Sequence, residues 1–145
     1  DMLKKEKFPI TVHAGEWDGP LRIRDAITLL HPTRLGHGVR SIEDPDLVNY
    51  IKELDIVLET CPTSNIATKI YRNYHEHPVK ALFEQGVKIT VNSDDPPFFN
   101  ASIAGEYSVM SDLGLSEDEL KSLTHNAIEY AFCNQDIKSK LLEKI

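Results

Sequence analysis

At 145 residues, 41% of them hydrophobic and 27% charged, the chain has the size and balance of one globular domain. Its formal net charge of −7 opposes a nucleic-acid backbone or an anionic membrane as partner and leaves a small neutral ligand open. No apolar run approaches the ~20 residues that span a bilayer, no signal-peptide core follows the charged start Asp1-Met2-Leu3-Lys4-Lys5-Glu6-Lys7, and Cys61 and Cys133 are too few for a disulfide framework, so both are expected as reduced, small buried side chains in a cytoplasmic protein.

That charged start reads as the tail of a helix cut from something longer. Phe8-Pro9-Ile10-Thr11-Val12 is rich in β-formers and predicts a first strand. Leu21 to Leu30 carries Leu21, Ile23, Ala26, Ile27 and Leu30 at helical spacing. A brief strand is expected at Thr33-Arg34-Leu35-Gly36, then a helix capped by Asp44-Pro45 with Leu47, Val48, Ile51 and Leu54 as its stripe. Ile56-Val57-Leu58 predicts the third strand, and Thr63 to His77 is polar and loop-like, with room for a short helical turn. Pro78 opens a helix that Gly86 ends, and Val87-Lys88-Ile89-Thr90-Val91 predicts the fourth strand. Helices follow over Ser102 to Leu113, from the capping box Ser116-Glu117-Asp118-Glu119 to about Phe132, and over Ile137 to Ile145.

Strands alternating with helices at spacings of roughly 20 to 35 residues imply a parallel sheet with right-handed crossovers. A doubly wound open sheet and part of a β/α barrel both fit. The glycine-rich phosphate turn of a dinucleotide domain is absent, which favours the barrel.

Each expected strand runs into a polar cluster: His13-Ala14-Gly15-Glu16, His37-Gly38, Glu59-Thr60-Cys61-Pro62, and Asn92-Ser93-Asp94-Asp95-Pro96. In a β/α barrel these carboxyl ends converge on one face, where active sites lie. His13, Glu16, His37, Asp94 and Asp95 are therefore expected to meet. A histidine and an aspartate at strand ends are suitable ligands for zinc or a similar divalent ion, which brings water's pKa towards neutrality. Glu16, three residues beyond His13, is placed to shuttle protons, and His37 to orient the water; together these point to hydrolysis. His31, His75 and His77 are expected to be solvated, and His125 to pack or cap within its helix. Cys61 has no evident base beside it and is not expected to act as a nucleophile.

The segments Thr11-Val12-His13-Ala14-Gly15-Glu16, Arg34-Leu35-Gly36-His37-Gly38, Glu59-Thr60-Cys61-Pro62-Thr63-Ser64-Asn65 and Asn92-Ser93-Asp94-Asp95-Pro96, in this order, resemble the adenosine deaminase family. The resemblance implies an α/β fold: the carboxyl-terminal half of a β/α (TIM-type) barrel, about four βα units plus C-terminal helices, with residues 1–145 one partial domain. It implies hydrolysis of adenosine to inosine and ammonia by a zinc-activated hydroxide. His13 and Asp94 would ligate Zn2+, Glu16 would protonate the purine ring nitrogen beside the reacting carbon, and His37 would orient the hydroxide. Asp95 would hydrogen-bond the purine N7, and Gly15 would lie against the ring. Adenine deamination, AMP as substrate, or a truncated remnant without activity are the alternatives.

One departure from the family pattern is large. Its first strand carries a His-x-His pair supplying two further zinc ligands, and here only His75-Glu76-His77 has that spacing, in a polar stretch late in the chain. A catalytic zinc has three or more protein ligands. The chain alone is therefore expected to bind zinc weakly and turn over little, and its partner is expected to be a purine nucleoside or base together with the missing N-terminal half or a second copy.

Overall fold

The computed structural model describes residues 8–145, so the expected helix tail at Asp1–Lys7 lies outside the described residues. Four short strands, β1 (Thr11–Ala14), β2 (Arg34–His37), β3 (Val57–Thr60) and β4 (Ile89–Val91), form one parallel sheet in the sequential order β1-β2-β3-β4. A doubly wound sheet reverses its strand order at a switch point, whereas a barrel advances one strand at a time. The sequential order selects the barrel alternative, and among the described residues β1 and β4 remain its edges.

The connections are helical. Pro20–Leu30 (α1) follows β1, and a 3-10 turn with Pro45–Glu53 (α2) follows β2. Pro62–Ala67 (α3) and Val79–Glu84 (α4) follow β3; Pro96–Phe99 (α5), Ile103–Asp112 (α6), Glu117–Glu129 (α7) and Gln135–Leu142 (α8) follow β4. The caps agree with the sequence: Asp44 accepts from Leu47 N–H, Ser102 from Gly105 N–H, and Ser116 with Glu119 forms a complete capping box.

Strand alternation divides the sheet into two unlike faces. Leu35, Leu58, Ile89 and Val91 pack with Ile23 and Ile27 of α1, Leu47 and Ile51 of α2, Leu82 of α4, Met110 of α6 and Leu123 of α7 into the main core. Burying each such side chain contributes roughly 1.5–3 kcal/mol. The other face carries Thr11, His13, Arg34, Gly36, Val57, Glu59 and Thr90, as the strand register places them. It is mostly polar: Thr11 Oγ1 donates to Glu59 Oε2 at 2.6 Å, Arg34 pairs with Glu59 Oε1 at 3.1 Å, and the Arg34 guanidinium lies 3.7 Å over the Phe132 ring.

Several expectations need correction. β1 and β3 run two residues and β2 one residue further than their apolar runs, so His13, His37 and Thr60 lie within β1, β2 and β3, whereas β4 ends at Val91 as expected. The backbone ladder continues wherever its hydrogen bonds continue, whatever the side chain. Residues 63–77 hold more helix than the one short turn allowed for: α3 begins at Pro62, and a 3-10 turn spans Tyr74–Glu76. His77 is buried rather than solvated, while His31 and His75 are exposed. His125 stands exposed on α7, and Cys133, unlike buried Cys61, is only half-buried.

Candidate functional site

The carboxyl ends of the strands carry the chemistry. His13, on the mostly polar face of edge strand β1, is open, its side chain 65% exposed. Glu16 follows on a tight turn at Gly15, whose left-handed φ of 77° and whose closeness to Ile23 leave no room for a side chain: an added Cβ would sit 2.4 Å from Ile23 Cδ1. The turn sends the Glu16 carboxylate back towards His13, with Oε2 3.1 Å from His13 Nε2.

His37 is the instructive residue. Alternation along β2 puts it on the same side as Leu35, facing the helices. Its φ of 65° breaks the alternation and returns the ring to His13, 4.6 Å between centroids. Asp94, after β4, is likewise left-handed at φ 56°. Non-glycine residues adopt this region rarely, and such backbone cost concentrates where geometry serves a site. His37 Nε2 lies 3.6 Å from Glu16 Oε2 and 3.8 Å from Asp94 Oδ2. Burial pushes the His37 imidazole below its ordinary pKa; the Glu16 carboxylate opposes this and His13 adds to it.

Helix α3 supplies the residues the sequence reading did not single out. Pro62 occupies the first helical position, so Ser64 and Asn65 fall in the first turn at the end of β3. Ser64 Oγ donates to Asp94 Oδ2 at 2.6 Å. Asn65 Nδ2 donates to Glu16 Oε1 at 3.1 Å and faces His37 Nδ1 at 3.3 Å. His77 Nε2 lies 3.0 Å from Asn65 Oδ1. Glu106 of α6, fully buried, accepts from Thr63 N–H at 3.2 Å, and burial raises its carboxyl pKa. A proline directly after a strand's polar end was the available signal for Ser64 and Asn65.

The structure thus brings together His13, Glu16, His37 and Asp94. Gly15 is buried beneath them against α1. Asp95 is the next residue in the rim; it stands at the N-cap position of α5 without capping it through its side chain, and is exposed. A cleft of about 380 Å3 lined by His13, Gly36, His37, Glu59, Cys61, Asn92, Ser93, Asp94 and Ile103 opens here, within the size range of small-molecule sites.

Two overlapping donor sets have the spacing of a metal site: His13, Glu16 and His37, and His37, Cys61 and Asp94. Cys61 fits such a role poorly. Its Sγ donates to Glu59 O at 3.6 Å, and burial pushes its thiol pKa far up, so the thiolate a metal requires is disfavoured. Imidazole and carboxylate donors at converging strand ends do fit a zinc-like divalent ion.

A parallel β/α array with imidazole and carboxylate side chains gathered at its carboxyl rim has the architecture of the active face of a β/α barrel. The adenosine deaminase family model matches residues 1–145, and the chain belongs to that family. It is 43% identical over 146 residues to an adenine deaminase of Rhizobium rhizogenes, covering all of this chain and 45% of that protein. An adenine deaminase of Agrobacterium fabrum is 42% identical with the same coverage. Among solved structures, an adenine deaminase from Arthrobacter aurescens superposes with a TM-score of 0.92 at 29% identity, over 97% of this chain and 43% of that one. An Arabidopsis thaliana N6-methyl-AMP deaminase matches at 0.87 and 28% identity, over 99% and 42%. An amidohydrolase of Burkholderia ambifaria solved with bound Zn matches at 0.85 and 26%, over 97% and 40%. The chain therefore spans less than half the length of these relatives, as a carboxyl-terminal, partial-barrel region of the family. No helix among the described residues is long and apolar enough to cross a membrane.

Proposed function

We propose that residues 1–145 form one partial domain that supplies the carboxyl-terminal part of a hydrolase replacing the 6-amino group of a purine by oxygen, with adenine preferred over adenosine. The observation that carries this reading is the buried Glu16 carboxylate, held by Asn65 and within 3.1 Å of the His13 imidazole and 3.6 Å of the His37 imidazole, both of which line the cleft. The preference for adenine, against the adenosine expected from the motifs, is supported by the names of the relatives at 40–43% identity.

Water and aminopurine enter, and oxopurine and ammonia leave. The oxygen of water bonds to the ring carbon, and the bond from that carbon to the amino nitrogen breaks. Glu16 carries one proton of the attacking water to the adjacent ring nitrogen, and the second, from the resulting hydroxyl, goes to the departing amino nitrogen, which leaves as ammonia. His37 holds the attacking water in line. Asp95, unengaged as a cap, would hydrogen-bond N7, and Gly15 would lie against the flat ring. His13 and Asp94 would hold the metal, with Ser64 orienting Asp94. A bound zinc-type ion supplies the lowering of water's pKa that attack near neutral pH requires.

The test joins this chain to the upstream segment of the 43%-identical adenine deaminase, loads zinc, and follows ultraviolet absorbance with adenine, adenosine and AMP. Adenine is expected to be consumed fastest. Faster adenosine or AMP turnover would overturn the preference, and no turnover of any of the three would overturn the reading itself.

A further inference from the structure

The buried side of the site carries a hydrogen-bond chain whose direction is fixed at one end. The Val79 backbone N–H, at the start of α4, can only donate, and it points at His77 Nδ1 from 3.2 Å. Nδ1 is therefore the bare nitrogen, and the neutral ring carries its proton on Nε2. That nitrogen lies 3.0 Å from Asn65 Oδ1 and donates to it. With its oxygen so engaged, Asn65 presents only its NH2 group to the far side, 3.1 Å from Glu16 Oε1 and 3.3 Å from His37 Nδ1. An amide nitrogen does not accept. His37 Nδ1 is consequently bare too, and its proton sits on Nε2, the atom facing Glu16 and Asp94.

Every link is closed to solvent. Asn65 is fully buried, His37 and His77 are each 4% exposed, and the Tyr71 ring stands edge-on to His77 at 4.9 Å. Water has no access to supply a substitute donor, so the polarity of one link dictates the next. Burial also holds the His77 pKa down to about 3, with His37 adding to the effect, which keeps the ring neutral.

We propose that His77 is a positioning residue: through Asn65 it fixes the tautomer of His37 and the orientation of the Glu16 carboxylate, so that one backbone amide of α4 sets the polarity of the reacting edge. Its kinetic consequence rests on the deaminase reading; the tautomer statement rests on the hydrogen-bond geometry alone.

The test labels the histidines with 15N and records two-bond proton–nitrogen correlations of the imidazoles, which distinguish the tautomers, in the wild-type chain and in His77→Gln and His77→Leu. Wild type is expected to show both His37 and His77 protonated on Nε2. Glutamine retains a donor for Asn65 Oδ1, so H77Q keeps the His37 pattern. Leucine fills the volume without donating; Asn65 is then free to turn over, and His37 becomes a mixture of tautomers. A wild-type His37 protonated on Nδ1, or an unchanged single tautomer in H77L, would overturn the proposal. Should H77L not fold, H77Q decides: a folded H77Q that loses the single tautomer also overturns it. In the zinc-loaded joined protein, H77L is expected to lose roughly 10- to 100-fold in kcat with KM little changed, and H77Q to recover most of it. An H77L enzyme with wild-type kcat sinks the positioning role while leaving the deaminase reading intact, whereas a wild type inert on every aminopurine sinks only the latter.

Discussion

The two sides of the site are built differently. On one side Glu16, His37, Asn65 and His77 are buried and joined by hydrogen bonds that run back to the main chain of α4. On the other, His13 is largely exposed on an edge strand, and Asp94 is held by Ser64 with a third of its side chain open. The side proposed to handle protons borrows its rigidity from the core between sheet and helices. The side proposed to bind the metal adjoins the opposite, mostly polar face of the sheet, where Phe132 covers Arg34 while His13 stays open. One chain can therefore carry a finished half of a site beside an unfinished one.

The largest expected effect falls on the finished side. Glu16→Gln keeps the shape of the side chain and its hydrogen bonding to Asn65 but cannot carry a proton. In the zinc-loaded joined protein it is expected to lower kcat by roughly 10² to 10⁴-fold, the usual worth of a general acid–base group. A loss under tenfold, measured by absorbance with adenine, would move the proton transfer to another residue.

Next comes Asn65→Leu, which removes the group bridging three others. His77 Nε2 loses its acceptor, while Glu16 Oε1 and His37 Nδ1 lose their donor, all in a buried setting. Each stranded buried polar group costs about 1–3 kcal/mol. A drop of about 3 kcal/mol or more in unfolding free energy is expected from urea denaturation. A drop below 1 kcal/mol would mean that water reaches these groups.

A smaller effect appears with pH. Burial lowers the folded pKa of His77 to about 3, against 6.5 for the ring in an unfolded chain. Between these values the unfolded chain binds the extra proton, so stability rises with pH: it is complete above about pH 6.5 and is lost as pH falls towards 3. From pH 7 to 5.5 the loss from this group is about 1 kcal/mol. Asp44 and Asp55, held low by Arg24 and by Lys88 with Tyr130 respectively, weaken in acid as well. The difference between wild type and H77Q isolates the histidine: equal stability losses in both over that interval would show that His77 is not buried neutral.

How much of this was legible in the sequence differs between the two sides. His13, Glu16, His37 and Asp94 stood out because each followed an apolar run at its carboxyl end, and a parallel sheet collects such ends at one rim. The doubly wound alternative fell only to the observed strand order. What stayed hidden depends on three-dimensional facts. A hydrophobic reading stops a strand at its last apolar residue, so β1, β2 and β3 were all drawn short of the histidines or threonine that finish them. Residues 63–77 offered no helical stripe, because α3 is six residues long and too short to display one. The burial of His77 comes from Tyr71 and from the entry to α4, neighbours that composition cannot assign. Left-handed φ at His37 and Asp94 is not fixed by residue type, although His and Asp adopt it more often than other non-glycine residues.

The smallest expected change in stability separates the two sides most sharply. His13→Ala removes an exposed ring whose one hydrogen bond, to Glu16, is open to solvent on the histidine's side. An exposed pair of this kind contributes about 0–1 kcal/mol, and surface substitutions fall within roughly 0.5 kcal/mol of wild type. The variant should unfold at nearly the same urea concentration as the parent while losing most of its affinity for zinc in calorimetric titration. The parent chain, with His13 and Asp94 as its credible ligands, should itself bind zinc weakly, since a catalytic zinc site normally draws on three or more protein donors. If His13→Ala instead unfolds the chain, the imidazole is structural and the exposed side is not separable from the core. If zinc binding survives the substitution, the ion is held elsewhere, and His37 with Asp94 becomes the pair to replace next.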